Sequence, residues 1–365
     1  MRSEMAMGVL GQMDAMGHET VICHRDVASG LRVFVAIHST VRGPALGGTR
    51  WHPYATEDDA LRDVLRLSQA MTAKAAVADL PLGGGKAVVI GDPGAKTPEQ
   101  LAAYARLIDS LGGRYITTTD VGTTTVEMDT LRGMTRYVVG VSPALGGGGD
   151  TSELTGVTVI EGMHAALRVA FGSATLDGRH VVVVGVGKVG ARVARHAAAA
   201  GARVTVADVR EDAARALATE VGADVMSVDD ALFAECDVLS PNALGNVLNE
   251  KTIPRLRCRV VCGAANNQLG KDPEDAALLA ARGIVYAPDY VVNSGGLINA
   301  SVEWGSVEQT SAEPGGYDAA RARGIASRVH DTTLAILEAA RDEGCSTAEA
   351  AQRLVAERLA ASGVR

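Results

Sequence analysis

The stretch from His180 to Asp208 constrains this chain more than any other. A β-branched run, His180 to Val184, leads into Gly185-Val186-Gly187-Lys188-Val189-Gly190, which opens a helical pattern reaching about Ala200. A second apolar run, Arg203 to Ala207, ends at Asp208. A lone GxGxxG is a weak signal. One set between a strand and a helix, with an acid about 20 residues further on, is specific for a βαβ dinucleotide site. The glycines let a pyrophosphate approach the backbone at the helix N-terminus, where the amide dipoles favour an anion. Asp208 can accept from both ribose hydroxyls and would repel a 2′-phosphate, so NAD is expected over NADP, with Arg210 nearby opposing that preference. The second half of the chain is therefore expected to form a doubly wound sheet.

Further strands are expected at 237–240, 259–263 and 284–287, followed by the loops PNALGN, AANNQ and PDYVVNSGG. In a doubly wound sheet such loops lie at the carboxyl ends of the strands, where a dinucleotide binds. Their amide side chains suit a nicotinamide carboxamide and equally suit the capping of helix starts, so the residues alone leave both readings open. Upstream, LGGGGDTSELTG (145–156) is a composition break and reads as a hinge. The expected division is a substrate domain over 1–144 with about 330–365, and a Rossmann domain over 145–329, with a cleft between them. The tail from Tyr317 reads as two helices split near Gly344, with Ser346 and Glu349 as a capping box, folded back on the first domain.

The first domain reads as α/β and is organised around MTAKAAVADLPLGGGKAVVIGDP, residues 71–93. Lys74 and Lys86 stand there among apolar and small residues, company in which an ammonium is rarely left unless paired or used. Lys74 closes a helix announced by Thr56 and Asp59 and by the stripe Leu61, Val64, Leu65 and Met71. Lys86 follows three glycines, expected to turn tightly, and precedes a strand-like run, Ala87 to Ile90. GGGK is not a phosphate loop, because that motif needs Ser or Thr after the lysine and Ala87 stands here. The two lysines are expected to converge on one anionic substrate, although a lysine at a helix end commonly just caps carbonyls.

Before them, Val21–Asp26 and Leu31–Ser39 read as a hairpin, and Gly47-Gly48 followed by Arg50 implies a close backbone approach. Pro98 to Leu111 reads as a helix and Tyr115 to Thr119 as a strand ending at Asp120. That carboxylate is either a working group or a cap for the next segment, and pattern alone leaves the choice open.

At 365 residues, with about 150 per domain as a prior, the chain has room for two domains. A net charge of −8 without a basic stripe argues against a nucleic-acid partner. No apolar run approaches the roughly 18 residues that span a bilayer. The N-terminal MRSEMAMGVLGQMDAMGHE carries charges where a signal peptide needs an apolar core, and reads as a frayed start. Cys23, Cys236, Cys258, Cys262 and Cys345 are scattered without metal-ligand spacing. They read as reduced thiols of a cytoplasmic protein, and no metal is expected.

With these blocks in hand, the sequence resembles the Glu/Leu/Phe/Val dehydrogenase superfamily, in its leucine/valine/phenylalanine branch. The likeness rests on GPALGGTR, the twin-lysine block, TTTDVGT, GVGKVG, VTVADVR, CGAANNQL and YAPDYVVNSGGLIN, in order over nearly the whole chain. It implies NAD-dependent, reversible deamination of an apolar, branched-chain L-amino acid to the 2-oxo acid and ammonia, in a homo-oligomer (dimer or octamer). Lys74 would then hold the substrate carboxylate, Lys86 would be the catalytic lysine, and Asp120 would assist proton transfer. Gly47, Gly48 and Asn293 would line the reaction centre. Arg50, Thr155, Gly185, Val186, Gly187, Lys188, Val189, Gly190, Asp208, Ala243, Leu244, Ala264, Ala265 and Asn266 match cofactor-contacting positions. A buried lysine beside a second ammonium has a lowered pKa, which suits a base near neutrality.

The chain departs from the family pattern at Asn242, where Cys is usual, and at Thr118, where many leucine enzymes carry Ala. Leu297 and Ala300 replace two pocket valines, in a segment that continues LINASVEWGSVEQ. The glutamate branch carries a lysine where Leu46 stands, so the implied pocket is apolar. Two other readings stand beside it: an aromatic amino-acid preference, and an NAD-binding regulatory protein without catalysis. Retention of Lys74, Lys86 and Asp120 together argues against the second.

Overall fold

Alternating apolar residues make β1 (Thr20–Arg25) and β2 (Arg32–Ser39) an antiparallel hairpin, which is extended by β3 (Ala45–His52), β4 (Gly83–Ile90) and β5 (Tyr115–Thr119). The computed structural model describes residues 8–309 and 316–363. The sheet order is β1-β2-β4-β3-β5, antiparallel from β1 to β4 and parallel across β4, β3 and β5. The first helices are α1 (Val9–Met16), α2 (Glu57–Val77), α3 (Pro98–Ser110) and α4 (Thr125–Arg132). Part of the stretch expected to be a loose start is therefore helical, and residues 1–7 lie outside the described residues. Helix α2 starts at Thr56, whose hydroxyl accepts the Asp59 N–H, and it carries Lys74 in its last turn. Its stripe of Leu61, Val64 and Leu65 is buried.

The three glycines before Lys86 overturn one expectation. Gly83, Gly84 and Gly85 are not a turn but the first half of β4, all three buried. Their smallness serves packing. A Cβ on Gly84 would come within 2.1 Å of the Thr72 backbone nitrogen of α2, and one on Gly85 would lie 2.7 Å from the Tyr115 ring. Strand and helix therefore meet at backbone distance beside the two lysines.

The second sheet is wholly parallel. It contains β6 (His180–Val184), β7 (Arg203–Ala207), β8 (Asp224–Val225), β9 (Glu235–Pro241), β10 (Arg257–Val261) and β11 (Val285–Tyr286), ordered β11-β10-β9-β6-β7-β8. Read from β8 this is the order 3-2-1-4-5-6, whose direction reverses between β6 and β9 and leaves a crevice at the carboxyl ends there. Short β8, with both residues exposed, had no apolar pattern by which to be foreseen. Two helices bear on the site: α5 (Ser152–Phe171) and α6 (Lys188–Ala199). The tail forms helices Ala319–Glu343 and Thr347–Ser362, the second opened by the Ser346–Glu349 capping box.

The chain divides into two units: Met1–Gly149, Ala300–Ala319 and Arg358–Arg365 in one, Asp150–Asn299 and Ala320–Glu357 in the other. The division falls inside the glycine-rich 145–156 stretch. Most of the tail groups with the parallel-sheet unit, and its last residues with the first. Arg358 explains the latter, since its guanidinium donates to the Ala76 and Val77 carbonyls at the end of α2.

Candidate active site

Register in the first sheet brings the charged residues together. Thr49 of β3 pairs with Thr119 of β5, so Arg50 and Asp120 are the next residues along two neighbouring strands. Thr49 also pairs with Ala87 of β4, one residue past Lys86. Lys86 Nζ lies 3.0 Å from Asp120 Oδ2, and Arg50 Nε lies 3.0 Å from the same oxygen. The Asp120 backbone is fixed as well, its N–H donating to the Thr123 hydroxyl, which in turn donates to the Thr49 carbonyl.

Lys86 is only 5% exposed. Burial pushes its ammonium below the ordinary lysine range, Asp120 pulls it back, and the Arg50 charge pushes the same way as burial. Burial alone would raise the Asp120 carboxyl, but Lys86 and Arg50 outweigh it and hold it below the usual range. The pair therefore holds a firmly ionised carboxylate beside an amine whose proton is loosened. Burial lowers this lysine as expected, and the neighbouring positive charge that adds to it is Arg50.

Around this pair, Leu46 is fully buried, and Gly47 and Gly48 lie in β3 with the Tyr115 hydroxyl donating to the Gly47 carbonyl at 2.7 Å. Thr118, half-buried in β5, lies against Gly140. Lys74 is half-buried at the end of α2, two residues beyond Thr72. Arg50, matched above to a cofactor position, has Nε on Asp120 and Nη1 on Asp63 at 2.8 Å. Sequence reasoning missed Asp63. It sits among Asp58, Asp59, Arg62 and Arg66, and in a helix such a run reads as a solvated face.

In the second unit the three motif glycines have three different causes. Gly185 has φ +94, and a Cβ there would also strike Ala243. A Cβ on Gly190 would lie 1.9 Å from the Gly185 carbonyl oxygen, so this glycine lets α6 pack on β6. Gly187 has nothing within 4 Å, so its side is open for a ligand at the N-terminus of α6. Asp208 Oδ2 accepts the Val186 N–H at 2.7 Å, and Oδ1 accepts the Arg210 N–H at 2.9 Å. Burial would raise this carboxyl, but those donors and the Arg210 charge hold it below its ordinary range. Lys188 at the helix start is exposed, with Val189 half-buried behind it.

The loops after β9 and β10 are stitched by amides. Asn242, the departure from Cys, accepts the Ala264 N–H at 3.0 Å and donates to the Ser240 carbonyl at 2.8 Å. Asn293 donates to the Ala264 carbonyl and to Asn266 Oδ1, while its own Oδ1 is buried with no donor. An orphaned acceptor of this kind fits a carboxamide or amine ligand. With the open Gly187 and the ribose-competent Asp208, these residues fit a nicotinamide dinucleotide. Ala265 is buried and Leu244 exposed, and the Thr155 hydroxyl donates to the Thr151 carbonyl within α5. Leu297 and Ala300 are both buried.

Other features lie apart from these residues. An open cavity at the amino ends of β6, β9 and β10, lined by His180, Phe233, Glu235 and Arg257 among others, contains none of them. Among the described residues no group of His, Cys, Asp and Glu could hold a metal ion, and no helix is long and apolar enough to cross a membrane. Cys236 and Cys258 face each other in register on β9 and β10, buried with Cys262, and burial pushes all three thiols up.

Comparison with known proteins adds to this geometry. Residues 18–137 match the family model described as Glu/Leu/Phe/Val dehydrogenase, dimerisation domain, and residues 208–363 match Glutamate/Leucine/Phenylalanine/Valine dehydrogenase. The chain is 47% identical to a valine dehydrogenase of Streptomyces albus, over 96% of this chain and 95% of that protein. It is 42% identical to a leucine dehydrogenase of Thermoactinomyces intermedius, over 97% and 94%. The crystal structure of L-tryptophan dehydrogenase from Nostoc punctiforme superposes with a TM-score of 0.84 at 38% identity, covering 98% of this chain and all of that one.

Proposed function

Because the chain belongs to the Glu/Leu/Phe/Val dehydrogenase family, we propose that it deaminates branched-chain aliphatic L-amino acids with NAD⁺, using Lys86 as base and Asp120 as its proton partner. The reaction class is oxidative deamination: an L-amino acid, water and an oxidised nicotinamide dinucleotide give the 2-oxo acid, ammonia and the reduced dinucleotide, reversibly. The buried Lys86–Asp120 pair carries the assignment of roles.

The dinucleotide supplies one thing, acceptance of a hydride from Cα. Everything else falls to the chain. Lys74 holds the substrate carboxylate by charge. With the substrate amine neutral, loss of hydride from Cα leaves an iminium, which water must attack, and that water must lose a proton as it does so. A buried lysine whose proton is loosened by burial and by the Arg50 charge is suited to take it. Asp120, held ionised by two cations, keeps the resulting ammonium in place and accepts its hydrogen bond. Later the lysine returns the proton to the departing nitrogen. A regulatory protein without catalysis has no use for such a pair, whose burial costs stability unless both partners remain.

Asp208 supports NAD, because a carboxylate already sharing two backbone N–H groups has room for ribose hydroxyls and repels a 2′-phosphate. Leu46, buried where the glutamate branch carries lysine, supports an apolar side-chain site. The relatives named valine and leucine dehydrogenase favour branched aliphatic substrates. The likeness to the tryptophan enzyme favours an aromatic one as the second reading. Assembly is proposed to be homo-oligomeric, and five free cysteines suit a reducing cytoplasm.

Formation of NADH across a panel of L-amino acids, with NADP⁺ as a control, tests the reading. Valine, leucine and isoleucine should all react, with differences of only about 10–200-fold, because a methylene in an apolar pocket is worth ~1–3 kcal/mol. Glutamate, lysine and D-amino acids should be poor or inert. A profile led by glutamate overturns the apolar pocket, and one led by tryptophan selects the aromatic reading.

A further inference from the structure

Asp120 is not shared by Lys86 alone. Its Oδ2 also accepts Arg50 Nε at 3.0 Å, and Arg50 Nη1 donates to Asp63 Oδ2 at 2.8 Å. Asp63 accepts the Tyr54 hydroxyl on the same oxygen and Arg66 Nη2 on the other at 3.0 Å. Charge thus alternates along Lys86, Asp120, Arg50 and Asp63, drawn from β4, the end of β5, β3 and α2. Their side chains are 6%, 22%, 22% and 15% exposed, so solvent screens this chain poorly. Arg66, at 55%, closes it in water.

We propose that Asp63 is a positioning residue which, by occupying one arm of Arg50, governs how strongly Arg50 competes with Lys86 for the single oxygen Asp120 Oδ2. The proposal rests on the reading of Lys86 and Asp120 as the proton-transfer pair. A guanidinium with two carboxylates divides its hydrogen bonds and its field. Stripped of Asp63, Arg50 bears wholly on Asp120 and repels the Lys86 ammonium without compensation.

The charges around Lys86 agree on the sign. Behind burial and the attraction of Asp120, Arg50 pushes the Lys86 ammonium towards losing its proton, and Asp63 favours keeping it. The charged groups that act on Lys86 are Asp120 from the end of β5, Arg50 from β3 and Asp63 from α2. The residue of β2 in register with Lys86 is uncharged Ala36. Asp63 and Arg50 therefore act on Lys86 in opposite directions. A merely structural role for Asp63, pinning α2 to the sheet, has no such sign.

The test is the pH dependence of two quantities in the full-length enzyme and its Asp63→Asn variant. The first is kcat/KM. The second is the rate at which a small amine reagent, cyanate, labels Lys86, read by peptide mass spectrometry, which follows Lys86 whatever its catalytic role. In Asp63→Asn both midpoints should fall by about 0.5–1 pH unit, the scale of one unit charge acting across a partly solvated network. Asp63→Glu should restore them. Arg50→Gln, read by labelling alone, should move the midpoint upwards, and it keeps the test open if Asp63→Asn does not fold. An unmoved labelling midpoint in these variants, or a shift of the same sign in both, overturns the proposal. A labelling shift without a kinetic shift supports the proposal and overturns instead the assignment of Lys86 as base.

Discussion

The loop after β6 presents backbone amides and absent Cβ atoms, whereas the cluster around Lys86 presents charged side chains from four separate elements. In the first region the components are adjacent in sequence, from Gly185 to Gly190, and Asp208 reaches them by accepting the Val186 N–H. In the second, Arg50 meets Asp63 across 13 residues and Asp120 across 70. A site made of backbone tolerates many side chains but few added atoms. A site made of buried charges tolerates added atoms poorly and unpaired charge worse. The two regions should therefore fail in different ways when altered.

Glycine replacements give the sharpest contrast. Gly84→Ala would place a Cβ 2.1 Å from backbone of α2, so helix or strand must shift beside both lysines. Its cost should lie at or beyond the ~3 kcal/mol end of overpacking penalties, seen as a lower midpoint in urea unfolding. Gly187→Ala meets nothing within the protein and should leave that midpoint unchanged while weakening the dinucleotide, measured by NADH fluorescence titration. Equal losses of stability in both variants would erase the distinction.

A smaller effect is expected at Asp208. Asp208→Ala removes the acceptor of the Val186 and Arg210 N–H groups together with the ribose contact. Lost hydrogen bonds to a charged group are worth about 1.5–3 kcal/mol, or roughly 10–100-fold in Kd for NADH. The gap to NADPH should narrow at the same time. A native preference for NADPH would contradict the reading of this carboxylate.

The smallest effect concerns Thr118, half-buried beside Gly140. Thr118→Ala should raise the relative kcat/KM for leucine over valine by no more than about 10-fold, since only a few atoms are removed from the wall. An unchanged ratio would take Thr118 out of the pocket and leave the chemistry as it stands.

The same contrast explains what could be read from residues alone. The parallel sheet, its glycine loop and Asp208 were legible because strand, turn and helix starts follow one another with their own local signals. The hairpin, α2 and α3 were legible for the same reason, from period and capping. The role of the Gly83–Gly85 run was misread as a turn, because glycine permits a turn but is equally demanded by the close approach of Thr72, which only the fold reveals. Asp63 carried no signal at all. A carboxylate in a charged helical run is buried against Arg50 only once β3, β5 and α2 are side by side. The Asn242 departure was visible as a change from Cys, but its use in tying the β9 and β10 loops was not.

The most direct test of the account is Lys86→Ala, assayed for NADH formation with saturating valine while NADH binding is titrated in the same preparation. The account predicts that turnover falls by at least the 10²–10⁴-fold typical of a lost general base, roughly, and that dinucleotide affinity is retained, because the open loop at Gly187 lies in the other unit. Near-native turnover in that variant, with the protein folded, would contradict it.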